Sequence, residues 1–221
     1  MRTIQKIASI LFLSFVFTLV FGTIPVAHSD EVKRRPLEET LYELLKKTHV
    51  AAPPPGWTET AEELDLRLHQ HAIDAAAVAK GNASEALLIL AVAEHESGFS
   101  IDVDKGPCYR GKDGKSERCD SGHAACEMQV HGGNPDRLAA LFADRQECYR
   151  TALRELRRVG CTEFGPDYRF ALYAAGDCVK GAKGSAELVG SWRRWKQNWN
   201  VELAREIAED NPTEKDKVAG K

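Results

Sequence analysis

Hydrophobic positions run almost unbroken from Ala86 to Ala93 and stop at a short polar stretch that ends in glycine. The run is too long for a typical strand, and Asn82 before it is a residue favoured at helix N-termini. Gly98 fits the position just past a helix C-terminus, where a left-handed residue is common. A helix that is apolar on nearly every face is a buried one. The pattern therefore predicts a core helix with Glu94 and Glu96 in its last turn.

Helical periodicity recurs in five further segments, and a proline-rich break at residues 51–56 separates the first two. Thr60 and Glu63 form a capping box at the start of the second segment. The expected helices span residues 36–49, 57–80, 134–159 and 167–176, and a long one begins at Ser185. The polar, glycine-rich stretch at residues 106–122 predicts a loop or irregular hairpin. The fold class is thus mainly α, with this stretch as an insert.

Two side-chain patterns invite functional readings that helical spacing argues against. Trp192, Trp195 and Trp199 recur at three and four residues, which is more typical of a core face than of a row of sugar-stacking rings. His69 and His71 are two residues apart on a helix and do not share a face. We expect both histidines at the surface and no metal between them.

The N-terminal residues are typical of an export signal. Arg2 and Lys6 precede an apolar run, and Ala27 to Ser29 offers small residues for signal peptidase. A membrane anchor is the alternative, because the run is near the lower length limit for a spanning helix. The expected organisation is a signal peptide (1–29), a helix and proline-rich linker (30–56), a catalytic domain (57–208) and a disordered polar tail (209–221). The mature chain is then periplasmic or secreted, with no membrane association.

The net charge of the chain argues against nucleic acid and anionic surfaces as partners. Removal of residues 1–29 takes away two basic residues and no acid, which lowers the formal charge from −3 to −5. An acidic chain does not attract nucleic acid or anionic surfaces. We expect a monomer without cofactors.

All six cysteines lie in the expected mature chain, at positions 108, 119, 126, 148, 161 and 178. An even number after an export signal indicates disulfides. Six cysteines allow fifteen pairings, and we expect neighbours to pair: Cys108 with Cys119, Cys126 with Cys148 and Cys161 with Cys178. The alternative is a zinc site, because Cys119, His123, Cys126 and His131 are closely spaced potential ligands.

The end of the core helix is a candidate catalytic position. A carboxyl group there lies at the negative end of the helix dipole and is partly buried, and both effects raise its pKa. A carboxylic acid that stays protonated near neutral pH is what general acid catalysis requires. Glu96 is the candidate for this role; a solvated helix end is the alternative.

Three short blocks then carry a resemblance to one family. Glu96 to Phe99 resembles the E-S-x-F signature of the lytic transglycosylase and goose-type lysozyme superfamily, Cys126 to Val130 its G-x-M-Q block, and Leu172 to Gly176 its A-Y-N-x-G block. The chain departs from the pattern at Cys126, where the family has glycine, and at Ala174, where it usually has asparagine. The resemblance covers residues 84–178 and implies a lysozyme-like (SLT) fold.

The resemblance implies cleavage of the MurNAc–GlcNAc bond of peptidoglycan. Glu96 would be the single catalytic acid/base, and the sugar's own 6-hydroxyl would close a 1,6-anhydro ring. Ser97 would support Glu96 or bind an acetamido group, and Met128 and Gln129 would line the cleft. Tyr173 would reach Glu96 with its hydroxyl.

Two alternatives stay open. A lysozyme-type hydrolase needs a second carboxylate, and Asp102, Asp104, Asp120 and Glu127 are the nearby acids. We expect these acids, Glu127 included, on solvated loops. A non-catalytic glycan-binding or protein-binding envelope domain is the other alternative.

Overall fold

The computed structural model describes residues 35–105, 122–132, 134–158 and 160–210, with side chains up to residue 206. Within these residues the protein is a mainly α-helical domain with eight helices, one small hairpin and two disulfides. The expected signal peptide, most of the polar insert and residues 211–221 of the expected tail lie outside the described residues. None of the described helices is long and apolar enough to cross a membrane.

The elements follow one another along the chain with two short 3₁₀ turns, Thr162–Phe164 and Pro166–Tyr168, before the seventh helix. The helices are α1 (Leu37–Leu45), α2 (Ala61–Ala79), α3 (Ala83–Ser97), α4 (Ile101–Asp104), α5 (Pro135–Ala143), α6 (Arg145–Leu156), α7 (Ala171–Ala175) and α8 (Ala182–Asp210). The strands are β1 (Ala124–Ala125) and β2 (Val130–His131), which pair antiparallel with Ala125 opposite Val130.

Helix α3 is the centre of the core, as its hydrophobic run predicts. Every residue from Ala86 to Ala93 is buried, and α2, α6 and α8 pack around the helix. Both predicted ends are confirmed: the Asn82 side chain accepts a hydrogen bond from the Glu85 amide, and Gly98 has φ 58°. Because this run is buried, Glu94 and Glu96, which follow it, lie close to the core.

Helix α1 docks on the same core. Leu41, Leu44 and Leu45 are buried, and the helix packs against α2 and α8. The Thr60–Glu63 capping box predicted for α2 is present, with both of its reciprocal hydrogen bonds. The segment between α1 and α2 thus connects two packed helices.

The starts of α2 at Ala61 and of α7 at Ala171 differ from the expected residues 57 and 167, and two further expected helix boundaries were wrong. Residues 134–159 form two helices, because Asp144 is extended (φ −133°) and its side chain caps α6 by accepting from the Glu147 amide. The first helix ends at Leu45, before the predicted His49. In both places a local side-chain or backbone hydrogen bond competes with helix continuation.

The tryptophan row packs as the spacing predicts. Trp195 is buried, and Trp192 and Trp199 are partly buried against the same core. The Trp192 ring also carries the Lys196 ammonium over its face, 4.3 Å from the centroid. These rings stabilise the packing of α8.

Two of the three expected disulfides are confirmed. Cys126 is bonded to Cys148, and this bond links the hairpin to α6. Cys161 is bonded to Cys178, and this bond links the segment before α7 to the segment after it. The expected Cys108–Cys119 bond lies outside the described residues. Disulfides of this kind are typical of proteins in oxidising compartments.

Replacement of Cys161 and Cys178 by alanine should lower the free energy of unfolding by about 3 kcal/mol, because the bond closes a loop with a sequence separation of 17. Urea unfolding of the double variant beside the wild type measures this difference.

Digestion of the wild type without reduction should yield a linked Cys126–Cys148 peptide. A different pairing in that digest would contradict the structure.

Candidate functional site

The two glutamates at the end of α3 point in different directions, since residues two apart on a helix lie about 200° apart. The Glu94 carboxylate accepts hydrogen bonds from Trp195 Nε1 at 2.7 Å and from Ser191 Oγ at 3.2 Å. Glu94 thus ties α3 to α8. Its hydrogen bonds are those of a structural carboxylate.

Glu96 is half-buried and makes no hydrogen bond or ion pair with the rest of the described chain. Burial raises the pKa of its carboxyl group to about 7. A carboxyl with that pKa exchanges a proton readily near neutral pH and can serve as acid and then as base. The feature expected of Glu96 from its position on the core helix is present.

The turn after Glu96 is held by its own backbone and by one serine. Ser97 Oγ donates to the Ala93 carbonyl (2.7 Å) and accepts from the Phe99 amide (3.1 Å). The Gly98 carbonyl accepts from the Ala51 amide (2.8 Å), and a Cβ at Gly98 would lie 3.1 Å from the Ala51 Cβ. Ser97 therefore supports Glu96 through the backbone of the turn.

The hairpin turn brings the second block of the resemblance to the third. The Tyr173 hydroxyl of α7 donates to the carbonyl of Met128, whose side chain is fully buried. Gln129 Nε2 donates to the Cys126 carbonyl at 3.1 Å, and Gln129 itself has φ 49°. The expected contact of the Tyr173 hydroxyl is with Glu96; in the structure its donor bond goes to Met128.

The charge of Glu96 nevertheless acts on Tyr173. Burial raises the pKa of Tyr173 well above its usual value, and the charge of Glu96 raises it further. The end of α3 and α7 are thus linked electrostatically.

A groove of about 680 Å³ opens beside Tyr173. Its walls come from the hairpin, α5, α6 and α7, and they consist of Gln129, Val130, His131, Arg137, Glu155, Leu172, Tyr173, Ala174, Ala175 and Gly176. Gln129 and Tyr173 are thus at the groove wall, whereas Met128 and Ser97 are not wall residues. Glu96 is not a wall residue of this groove.

Three further wall residues carry polar side chains that the sequence did not assign to a groove. Glu155, Arg137 and His131 line it, and Glu155 also pairs with Arg158 at 2.8 Å. His131 was expected only as a potential zinc ligand. No spacing distinguishes Glu155 on its amphipathic helix, or Arg137 at a helix start, from ordinary surface residues.

The expectation that the nearby acids are solvated was wrong for those that the structure describes. Asp102 is fully buried and accepts from Ser100 Oγ at 2.5 Å. Glu127 is 1% exposed, and both it and Asp104 contact the Arg145 guanidinium. Asp120 lies outside the described residues. Arg145 explains why Asp104 and Glu127 can be buried, since a buried carboxylate needs a cation. The spacing of the sequence did not reveal this partner.

The electrostatics of this acid pair follow from its burial. Burial and the neighbouring Asp104 raise the pKa of Glu127 well above its usual value. The pKa of Asp104 is lowered by its hydrogen bond with Glu127 and by the positive charges around it, which outweigh burial. Both acids are therefore committed to an internal network.

His71 was expected at the surface and is fully buried. Its Nδ1 lies 2.7 Å from the Tyr149 hydroxyl, and burial together with Arg145 lowers its pKa well below the usual value. The spacing along α2 could have predicted this burial. His71 follows Leu68 by three residues and precedes Ala75 by four, so it lies on the buried stripe of α2. His69, by contrast, is partly exposed and lies 3.5 Å from Glu39.

The zinc alternative at the cysteines loses one of its ligands. Cys126 is bonded to Cys148, so it offers no thiolate. Cys119 lies outside the described residues.

The raised pKa of Glu96 predicts a pH-dependent effect of Glu96→Gln on stability. Below about pH 4.5 the carboxyl is protonated in the folded and unfolded protein, so it carries no penalty. Between that pH and about 7 only the unfolded state ionises, and the wild type loses stability relative to the variant. Above pH 7 the difference should be constant at roughly 2 kcal/mol, discounted for the partial exposure of Glu96.

Urea unfolding at pH 4.5 and pH 8 measures this difference. Glu163→Gln, at an exposed glutamate, is the matched control and should change the stability by less than about 0.5 kcal/mol at either pH. Equal effects of Glu96→Gln at the two pH values would contradict the raised pKa.

The chain was also compared with known proteins. No protein-family model, no curated protein and no solved structure matches it. The function is therefore inferred from the side chains and the geometry above.

Proposed function

We propose that this protein is a peptidoglycan-cleaving enzyme of the lytic transglycosylase type, with Glu96 as its single general acid/base. The observation that carries the proposal is the half-buried Glu96 carboxyl, whose pKa is raised to about 7 and whose charge acts on Tyr173 at the groove wall. A buried acid without a hydrogen-bond partner destabilises a fold. Glu96 has no such partner among the residues that the structure describes, and catalysis would explain an acid in this state.

In the proposed reaction Glu96 protonates the glycosidic oxygen while the bond to MurNAc breaks towards an oxocarbenium-like state. The ionised Glu96 then takes the proton of the MurNAc 6-hydroxyl, whose oxygen attacks the anomeric carbon and closes the 1,6-anhydro ring. The attacking hydroxyl belongs to the same sugar, so its effective concentration is high and no second carboxylate is needed.

The other residues of the three blocks support this reaction by position. Gln129 presents an amide at the groove wall, where it can hydrogen-bond a sugar. Tyr173 holds the hairpin carbonyl of Met128 and is itself part of the groove wall. Ser97 fixes the turn that aims Glu96.

The departures from the family pattern are consistent with the proposal. Cys126 has φ 56°, a left-handed conformation that favours glycine, the residue that the family has there. The disulfide to Cys148 anchors the non-glycine residue in that conformation. Ala174 lines the groove in place of the usual asparagine, so one amide is missing from the wall.

A hydrolase is the second candidate, and Glu155 is the observation that favours it. Retaining and inverting glycosidases use a second carboxylate about 5–9.5 Å from the acid. Asp102, Asp104 and Glu127 are held in buried contacts, whereas Glu155 is at the groove wall and near enough to Tyr173 for its charge to raise the pKa of that residue.

Glu96→Gln should lower the rate of sacculus cleavage by roughly 10²–10⁴-fold, because the amide cannot donate and then accept the proton. Glu94→Gln is the matched control on the same turn and should keep most of the activity, since the amide oxygen still accepts from Trp195 Nε1. Turbidity clearing of purified sacculi measures both. Loss of activity in Glu94→Gln alone would refute the assignment. A wild type that binds sacculi without cleaving them would mean a glycan-binding domain.

The released muropeptides should carry 1,6-anhydromuramic ends. Such products are lighter by one water than reducing ends and do not react with borohydride, so mass spectrometry before and after reduction distinguishes them. Glu155→Gln should leave cleavage and product type unchanged. Reducible products from the wild type, together with loss of cleavage in Glu155→Gln, would instead establish the hydrolase.

A further inference from the structure

A buried ionic cluster joins α2, α4, the hairpin turn and α6. We define it by its charged members and one histidine: Glu59, Arg67, His71, Asp74, Asp104, Glu127 and Arg145. Arg145 has the most exposed side chain of the seven, at 20%. None of these residues has a part in the proposed cleavage reaction.

Three members converge on one point from three elements. His71 Nε2 of α2 lies 3.6 Å from Asp104 Oδ1 at the end of α4, and 3.9 Å from Glu127 Oε1 in the hairpin turn. One potential ligand atom from each residue lies within 4.8 Å of the other two. Four ligand atoms around a zinc ion, each about 2.1 Å from it, are about 3.4 Å apart. The observed spacing is close to that of a metal site.

Two atoms of these three residues lack partners in the part of the chain that the structure describes. His71 Nε2 and Glu127 Oε2 are buried and make no hydrogen bond there. Their residues are 0% and 1% exposed. An unpaired buried polar atom is unfavourable by about 1–3 kcal/mol, and an ion bound by these residues would remove that cost.

The charge of the cluster has the sign that a cation needs. Arg67 is matched by Glu59, with both hydrogen bonds at 2.7 Å. Arg145 is shared by Asp74, Asp104 and Glu127. The cluster thus holds four carboxyl groups and two guanidinium groups, so the groups that can carry negative charge outnumber the fixed positive charges.

The orientation of His71 is also that of a ligand. Its Nδ1 lies 2.7 Å from the Tyr149 hydroxyl, so an Nδ1–H donated to Tyr149 leaves the Nε2 lone pair towards the carboxylates. Metal-bound histidines are oriented by such a bond from the other ring nitrogen. Arg145 would donate hydrogen bonds to the carboxylates that bind the metal. Groups around metal ligands commonly orient them in this way.

We propose that His71, Asp104 and Glu127 bind one divalent transition-metal ion, zinc by the preference of a histidine and two carboxylates. The ion is structural. It joins α2, α4 and the hairpin, and so fixes the turn that carries Met128 and Gln129. The proposal does not depend on glycan cleavage.

The test uses the disulfide-bonded chain without a polyhistidine tag, dialysed against chelator and then titrated with zinc chloride. We expect one zinc per chain by calorimetry. The melting temperature should rise by about 5–10 °C at a hundredfold excess over Kd. Co²⁺ in the same chain should give visible d–d bands and no sulfur-to-metal charge transfer.

Glu127→Gln and His71→Leu should lose stoichiometric binding of zinc and the rise in melting temperature. His69→Leu is the matched control, two residues away on the same helix, and should bind as the wild type does. Absence of stoichiometric zinc binding in the wild type overturns the proposal. So does a sulfur-to-metal band, or loss of binding in His69→Leu alone. If a site variant fails to fold, the wild-type stoichiometry and the Co²⁺ spectrum still decide the outcome.

Discussion

Burial of α3 on all sides is the constraint on which the rest of the structure depends. A helix with buried residues from Ala86 to Ala93 needs neighbours around its whole circumference, and α1, α2, α6 and α8 together build the core around it. The same burial sets the environment of its last turn. Glu94 accepts a hydrogen bond from Trp195 of α8 and links the two helices, while Glu96 is half-buried and has no hydrogen-bond partner among the described residues.

The candidate site is assembled at a junction of segments that are distant in sequence. The end of α3 supplies Glu96, the hairpin supplies Gln129, and α7 supplies Tyr173, whose hydroxyl holds the hairpin at Met128. The two described disulfides fasten the hairpin and the segment around α7. Short elements such as these have little core of their own, so covalent links compensate for it.

The buried ionic cluster is the second polar centre of the protein, and it has a different task. Arg67 donates to the Phe99 carbonyl at 2.7 Å, which fixes the chain just after Glu96. Arg145 joins α6 to α2, α4 and the hairpin through Asp74, Asp104 and Glu127. These buried polar groups thus fix the segments that carry the candidate site. Their burial has a cost in desolvation, which the proposed metal ion would reduce.

The sequence by itself determined what local physics decides. The core helix and its ends follow from an unbroken apolar run, a capping asparagine and a left-handed glycine, and the α2 capping box from Thr60 and Glu63. Only the tertiary structure decided which polar residues are buried. His71, Glu127 and Asp102 have no local feature that distinguishes them from surface residues, because their burial depends on partners such as Arg145 and Tyr149 far along the chain. The groove wall at Glu155 has the same origin, since helices that are separate in sequence must pack before a wall exists.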